Sequence, residues 1–278
     1  MQLKEKNTTW MIVLAVFALL LGVGIQIGLG LERDMRTTAQ GRAIAAELTA
    51  EVRQATEDRE QALYLDTAAL AALPAEKAAA YEDLHLELLL LVNPWNPVPE
   101  DYSVEVIPVG EWQVGEDQSI ATLCADALLR MIADCQEAGY RPYICSSYRT
   151  QAMQEGLFYN KLVRVLEMGY SWDDAPDIAA QSVAPPGTSE HQLGLAADII
   201  DSEYTYLDEG QERTGTQRWL MENSWRYGFI LRYPNGTTDI TGIIYEPWHY
   251  RYVGQRFAKD IYEKDVTLEE YIALRRGR

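Results

Sequence analysis

At 278 residues the chain has room for one large domain, or for a medium domain with an appendage. Apolar residues make up 47%, ample for a core, and a formal net charge of −18 excludes a nucleic-acid binder, which needs a basic footprint. Acidity on this scale speaks to solubility and not to fold.

The first predicted element is a membrane anchor. Residues 10–31, "WMIVLAVFALLLGVGIQIGLGL", carry no charge. About 20 apolar residues cross a bilayer as a helix, whereas a signal-peptide core is shorter and ends at a small-residue cleavage site. No clear A-x-A site follows Leu31 and no lipobox cysteine is present, so an uncleaved single-pass anchor is expected. Lys4 and Lys6 precede the span and Arg33 and Arg36 follow it, so the positive-inside rule gives nearly a tie. Residues 1–9 are too few to form a domain. They read as a cytoplasmic tail, with the bulk of the chain outside the cytoplasm.

Residues 32–85 read as a helical stem. Ile44, Leu48 and Val52 recur every four residues, and Pro74 interrupts the pattern. His85 falls here, with only ordinary helix charges around it, and reads as structural or exposed. The proline-rich "NPWNPVPEDY" (93–102) reads as an entry loop, and the main domain is expected over 86–272, with 273–278 as a tail.

Within that domain the clearest helix is 118–138, where Ile120, Leu123, Cys124, Ala127, Leu128, Met131, Ile132 and Cys135 follow helical spacing and Gly139 ends it. "RPYICSS" (141–147) reads as a strand, 150–168 as a helix, and 172–182 and 214–227 as short helical segments. "LAADII", "GFILRY" and "WHYRYV" read as strands, and Thr267 with Glu270 forms a capping box for the last helix. Helices and strands mix without a βαβ repeat, which predicts an α+β class. Cys124, Cys135 and Cys145 lack C-x-x-C spacing. They read as buried thiols, with one disulfide to Cys145 left open by an extracytoplasmic setting.

The chemistry concentrates around two of only three histidines. His191 stands seven residues before Asp198, and Asp198 sits among Ala196, Ala197, Ile199 and Ile200. A buried carboxylate without a partner is costly. Gly194 and the preceding "APPG" argue against one continuous helix, so His191 is expected on a loop and Asp198 on a buried strand. In "YEPWHYRYVG", Pro247 biases Glu246 away from helix, and Glu246 and His249 can converge around a turn. Two imidazoles and one carboxylate suit Zn²⁺ with a fourth position open. Glu246 is then left over as general base. Taken singly, His191 is as well explained as a hydrogen-bonded turn residue and His249 as a packed strand residue; their joint occurrence favours ligands.

"SEHQLGLAAD" resembles the SxHxxGxAxD motif of the zinc D-alanyl-D-alanine carboxypeptidases of the VanY type, in the lysostaphin/D-Ala-D-Ala-peptidase/hedgehog-like group. "EPWHYRYVG" resembles their ExxH motif and "SSYRTQAMQ" their SGYRSxxxQ segment. "LLLLVN", "YGFILRYP" and "TLEEYI" extend the resemblance over roughly 86–272. It implies a small central antiparallel sheet with flanking helices. It implies His191, Asp198 and His249 as zinc ligands and Glu246 as catalytic base. Arg149 becomes the cation that holds substrate and steadies the carbonyl oxygen, with Ser189 and Gln154 as substrate-binding residues, Gln154 alternatively only shaping its helix. Ser147 departs from the pattern: it stands where the family often has glycine, and a positive φ there would strain it.

The function so implied is removal of the C-terminal D-alanine from peptidoglycan stem peptides or their lipid-linked precursor, at the membrane of a Gram-positive bacterium. A peptidoglycan endopeptidase is one alternative. A non-catalytic wall-binding module with a structural zinc is another, and it need not keep Glu246 and Arg149.

Overall fold

The computed structural model describes residues 87–110 and 118–276. The predicted anchor, the stem with His85 and the first residue of the expected domain lie outside these. Among the described residues no helix is long and apolar enough to cross a membrane.

The core is a four-stranded antiparallel sheet. Its strands are β3 (Pro142–Ser146), β4 (Ala196–Asp201), β5 (Phe229–Leu231) and β6 (His249–Tyr252), in the order β3-β4-β6-β5. A smaller pair, β1 (Val106–Pro108) and β2 (Ser119–Ala121), lies apart from it. This is the expected α+β class with a small antiparallel sheet. β4 is central, and its residues 196–200 are buried, which is why "LAADII" is nearly all apolar or small.

α1 (Thr122–Glu137) packs the predicted stripe inward: Cys124, Leu128, Met131, Ile132 and Cys135 are fully buried. Each Leu or Ile so buried is worth roughly 1.5–3 kcal/mol relative to exposure. The expected helix start at 118 is corrected. Ser119, Ile120 and Ala121 are a strand paired to Val106–Pro108, because the periodicity of Ile120 fits either element and a partner strand decides it. Gly139 (φ 91°) follows the C-cap Ala138, as the termination signal requires. The capping box forms, with Thr267 N–H donating to Glu270 Oε2 (2.8 Å) and Glu270 N–H to Thr267 Oγ1 (3.2 Å).

α2 (Gln151–Glu167) lies against the short α3 (Ala175–Ala180). Val165, Phe158, Leu162 and Leu166 pack on Ala175, Ile178 and Ala179. α4 (Gly215–Asn223), α5 (Thr238–Thr241), α6 (Gln255–Lys264) and α7 (Leu268–Arg276) complete the unit, and α7 runs beyond the expected limit at 272. Leu88 and Val92 are buried, so "LLLLVN" belongs to the domain. The three cysteines are unpaired thiols. Burial pushes each thiol pKa up, which makes them packing groups and not nucleophiles.

A candidate metal centre with a carboxylate and a guanidinium

Strand register builds the site. Asp198 of β4 pairs with His249 of β6 on one side and Ser146 of β3 on the other. His191 arrives from a 3₁₀ turn, Glu190–Leu193, closed by Gly194 in the left-handed region (φ 69°). A Cβ at 194 would come within 3.3 Å of Ala121, so the glycine serves both the turn and the close approach of β2. Glu246 and His249 span a turn, with His249 N–H donating to the Glu246 carbonyl (3.2 Å).

His191, Asp198 and His249 each offer a ligand atom within 4.8 Å of the others, close enough to share one ion, and all three residues are buried. Each imidazole has one nitrogen in the cluster and one turned outward. His191 Nδ1–H donates to the Ser147 carbonyl (2.7 Å), which directs Nε2 to Asp198 Oδ2 (3.3 Å). His249 Nδ1 lies 3.0 Å from Asp198 Oδ1, and its Nε2 faces Glu190 Oε2 at 3.5 Å. That last contact is longer than a well-formed hydrogen bond. Neither atom has a hydrogen-bond partner otherwise, so the pair is a buried ionic contact. An outer-shell carboxylate or carbonyl on each imidazole is the arrangement that orients metal-binding histidines. The donor set, its convergence and these outer contacts fit a divalent metal.

The electrostatics describe the metal-free state. Burial and the Arg149 charge lower the His191 pKa to about 4, so it is neutral at pH 7. Burial disfavours charge on His249 too, but its contacts with Asp198 and Glu190 outweigh this and raise its pKa to about 9. Asp198 overcomes its own burial through the two imidazoles and is held well below the usual carboxylate range. Burial pushes Glu246 up to about 8, the Asp198 charge adding to this and the His249 charge opposing it.

A proton therefore sits on His249 where the metal belongs. Metal binding must expel it, so affinity falls as pH falls below about 9. In a Glu246→Gln variant at pH 6, below the pKa of a zinc-activated water so that only ligand protons count, zinc titration in buffers of different ionisation enthalpy should release about one proton per ion. Release of none would show that His249 enters the site already neutral. The linkage in the metal-free protein has the opposite sense. His249's folded pKa is raised, so its contribution to stability is full below its ordinary 6.5 and is lost as pH rises through about 9.

Arg149 is held by three hydrogen bonds: Nε to Ser146 Oγ (2.9 Å), Nη1 to Gln154 Oε1 (3.3 Å) and Nη2 to Asp198 Oδ2 (3.0 Å). A guanidinium has five N–H donors, so two are left for a ligand. Glu246 Oε2 lies 3.8 Å from His249 Nδ1, beside the cluster. Arg149, Ser189, Glu246 and the three candidate ligands line one cavity of about 410 Å³. Gln154 does not face it. Gln154 is fully buried, its Oε1 is taken by Arg149 and its Nε2 by the Ala184 carbonyl (2.7 Å). In this structure its side chain supports Arg149. Ser147 is unstrained, since among the described residues only Asp265 combines a side chain with positive φ. Its hydroxyl donates to Gln118 (2.9 Å).

Sequence reasoning missed Glu190. Its Oε1 accepts from Arg232 Nε (2.8 Å) and Arg251 Nη1 (2.9 Å). Arg232 continues to Glu269 with two bonds (2.7 and 2.8 Å), and Arg251 Nη2 donates to the carbonyls of Leu88 (3.2 Å) and Leu90 (3.0 Å). Both arginines are fully buried. The signal was present: two arginines stand inside otherwise apolar strand sequences, and an acid stands beside His191.

Three convergent candidate ligands with an adjacent carboxyl group and a fixed guanidinium, all on one cavity, have the layout of a hydrolytic metal centre. The comparisons agree with it. Residues 117–255 match the family model "VanY: D-alanyl-D-alanine carboxypeptidase". The chain belongs to this VanY family. It is 41% identical over 186 residues to a D-alanyl-D-alanine carboxypeptidase of Enterococcus faecalis, covering 66% of this chain and 65% of that protein, just under two thirds of its length. Among solved structures, it is similar to a mutant of the vancomycin-resistance D,D-pentapeptidase VanY in complex with Zn(II). There the identity is 39% and the TM-score 0.59, covering 67% of this chain and 99% of the other. It is also similar to VanYB in complex with D-alanine-D-alanine, at 41% identity and TM-score 0.58, over 66% and 97% of the two chains.

Proposed function

We propose that this protein is a zinc-dependent carboxypeptidase that removes the C-terminal D-alanine from peptidoglycan stem peptides. The observation that carries this is one cavity in which the His191, Asp198 and His249 ligand atoms converge beside Glu246 and Arg149. The Zn(II) and D-alanine-D-alanine complexes of its relatives support the metal and the substrate class.

Zinc held by His191, Asp198 and His249 would polarise the scissile carbonyl and lower the pKa of a nearby water to about 7. The chain's own residues do the rest. Glu246, on the cavity wall beside the cluster, takes the proton of the attacking water and delivers it to the leaving amine. Arg149 turns its two spare N–H groups to the substrate's carboxylate or to the developing oxyanion. Ser189, on the same wall, donates a further hydrogen bond. Gln154 and Ser146 keep the guanidinium in place. The uncharged run 10–31 supports a single-pass anchor, and a peptidoglycan substrate puts the catalytic domain outside the cytoplasm, at the cell membrane of a Gram-positive bacterium in this reading.

The test is the zinc-loaded full chain with a muramyl pentapeptide and a muramyl tetrapeptide, followed by product mass. Loss of one alanine from the pentapeptide alone establishes D,D-carboxypeptidase activity, and loss from the tetrapeptide alone makes it L,D. Cleavage of neither overturns the reading. Arg149→Lys keeps the charge but loses the fork. It should lower kcat/KM by about 10²–10³, measured on the same peptide with metal content unchanged.

A further inference from the structure

Part of the cavity's lining comes from α2. The wall there is Leu157, Asn160, Lys161 and Arg164. These stand at i, i+3, i+4 and i+7, on one helix face. Another face of α2, with Phe158, Leu162, Val165 and Leu166, is packed on α3, so the basic stripe cannot rotate away from the cavity without undoing that contact. Ile243, Ile244 and Leu207 also line the cavity and bring no charge.

The charge inventory of the cavity is uneven. Asp198, Glu246 and Arg149 belong to the metal centre. What is left is Lys161 and Arg164, both positive, and neither joins an ion pair among the described residues. In a chain with 42 acidic against 24 basic residues, two unpaired cations on a cavity wall run against the composition. The helix dipole accounts for a cation at Arg164, in the last turn of α2, but not for Lys161 before it. Lys161 is also near enough to Glu246 for its charge to be felt there.

We infer that Lys161 and Arg164 form an anion subsite that binds a carboxylate of the peptide substrate upstream of the scissile bond. This rests on the carboxypeptidase reading. Arg149 and Ser189 beside the cluster serve the terminal carboxylate and the reacting carbonyl, so a second cationic pair, about 15 Å or more of helix beyond the start of α2 next to Arg149, serves a different anion. Its ligand class is an acidic peptide, with a free side-chain or main-chain carboxylate one or two residues before the terminal dipeptide. An amine and a guanidinium one helical turn apart give such a carboxylate charge-assisted hydrogen bonds.

The experiment uses the zinc-loaded full chain and matched tetrapeptides ending in D-Ala-D-Ala, with Glu or Gln one or two residues upstream. At low salt the Glu peptide should show a KM lower by about tenfold at one of the two positions, the effect of two partly exposed ion pairs. The Lys161→Met/Arg164→Met double variant should bring the Glu/Gln ratio to about one, as should raised salt in the parent. Equal KM values for Glu and Gln in the parent at both positions overturn the subsite, as does a preference that survives in the double variant. A KM increase in the double variant common to all peptides also overturns it, because the pair would then hold the terminal carboxylate. If the chain cleaves no peptide, the carboxypeptidase reading fails separately. Calorimetric Kd values for the same peptides then decide the subsite: a Glu preference lost in the double variant supports it, and equal Kd values overturn it.

Discussion

Replacing Glu246 with Gln is expected to leave zinc content unchanged while kcat falls by about 10²–10⁴, the usual scale for a positioned acid–base group. Gln preserves size and hydrogen-bonding reach but cannot carry a proton from water to the leaving amine. The metal should stay because the ligand set is complete without this side chain: His191, Asp198 and His249 converge and Glu246 stands beside them. The two measurements are metal content of the purified variant and its single-turnover rate on a peptide ending in D-Ala-D-Ala. Full activity would remove Glu246 from its role. Loss of zinc together with activity would make it a ligand.

The second large effect belongs to Glu190. This carboxylate is 1% exposed and shared by two fully buried guanidiniums. Its affinity for protons is low because Arg232 and Arg251 outweigh the cost of burying it. Glu190→Gln leaves the buried Arg251 with no carboxylate partner, while Arg232 keeps Glu269, and breaking such a buried pair costs about 3–5 kcal/mol. It also removes the anion facing His249 Nε2, and outer-shell losses of this kind weaken metal binding by about 10–100-fold. Both should appear, the first in denaturant titrations of the metal-free protein and the second in zinc competition assays. Glu269→Gln is the control. It sits at the outer end of the same network, bonded to Arg232 and to Asn93 (3.1 Å), and does not contact His249. It should cost stability while sparing zinc affinity. Equal zinc affinity in the parent and the Glu190 variant would reduce Glu190 to a structural ion pair.

Much of the site was legible because short-range chemistry wrote it. An acid among small apolar residues at 198, a histidine ahead of a left-handed glycine, and a proline between Glu246 and the tryptophan before His249 each carry a local physical constraint. They pointed to the trio and the base before any coordinates. The same holds for the α1 stripe, its stop at Gly139 and the Thr267 capping box, all set by contacts within a few residues. The placement of Gln154 was not legible for the complementary reason. A motif position shows that an amide is needed near Arg149, but not whether it turns to the cavity or behind the guanidinium.

By itself, then, the sequence determined the helices and strands with strong period, the candidate metal donors and their order along the chain, and the α+β class. Those features depend on neighbours one to seven residues apart. The tertiary structure alone decided that Ser119–Ala121 pairs as a strand, that Asp198 lies opposite His249, that Glu190 reaches His249 and two strand arginines, and that Lys161 and Arg164 line the cavity. These partners are tens of residues apart, and which of them meet is set by strand register and helix packing, where a shift of one residue would turn each side chain to the other face.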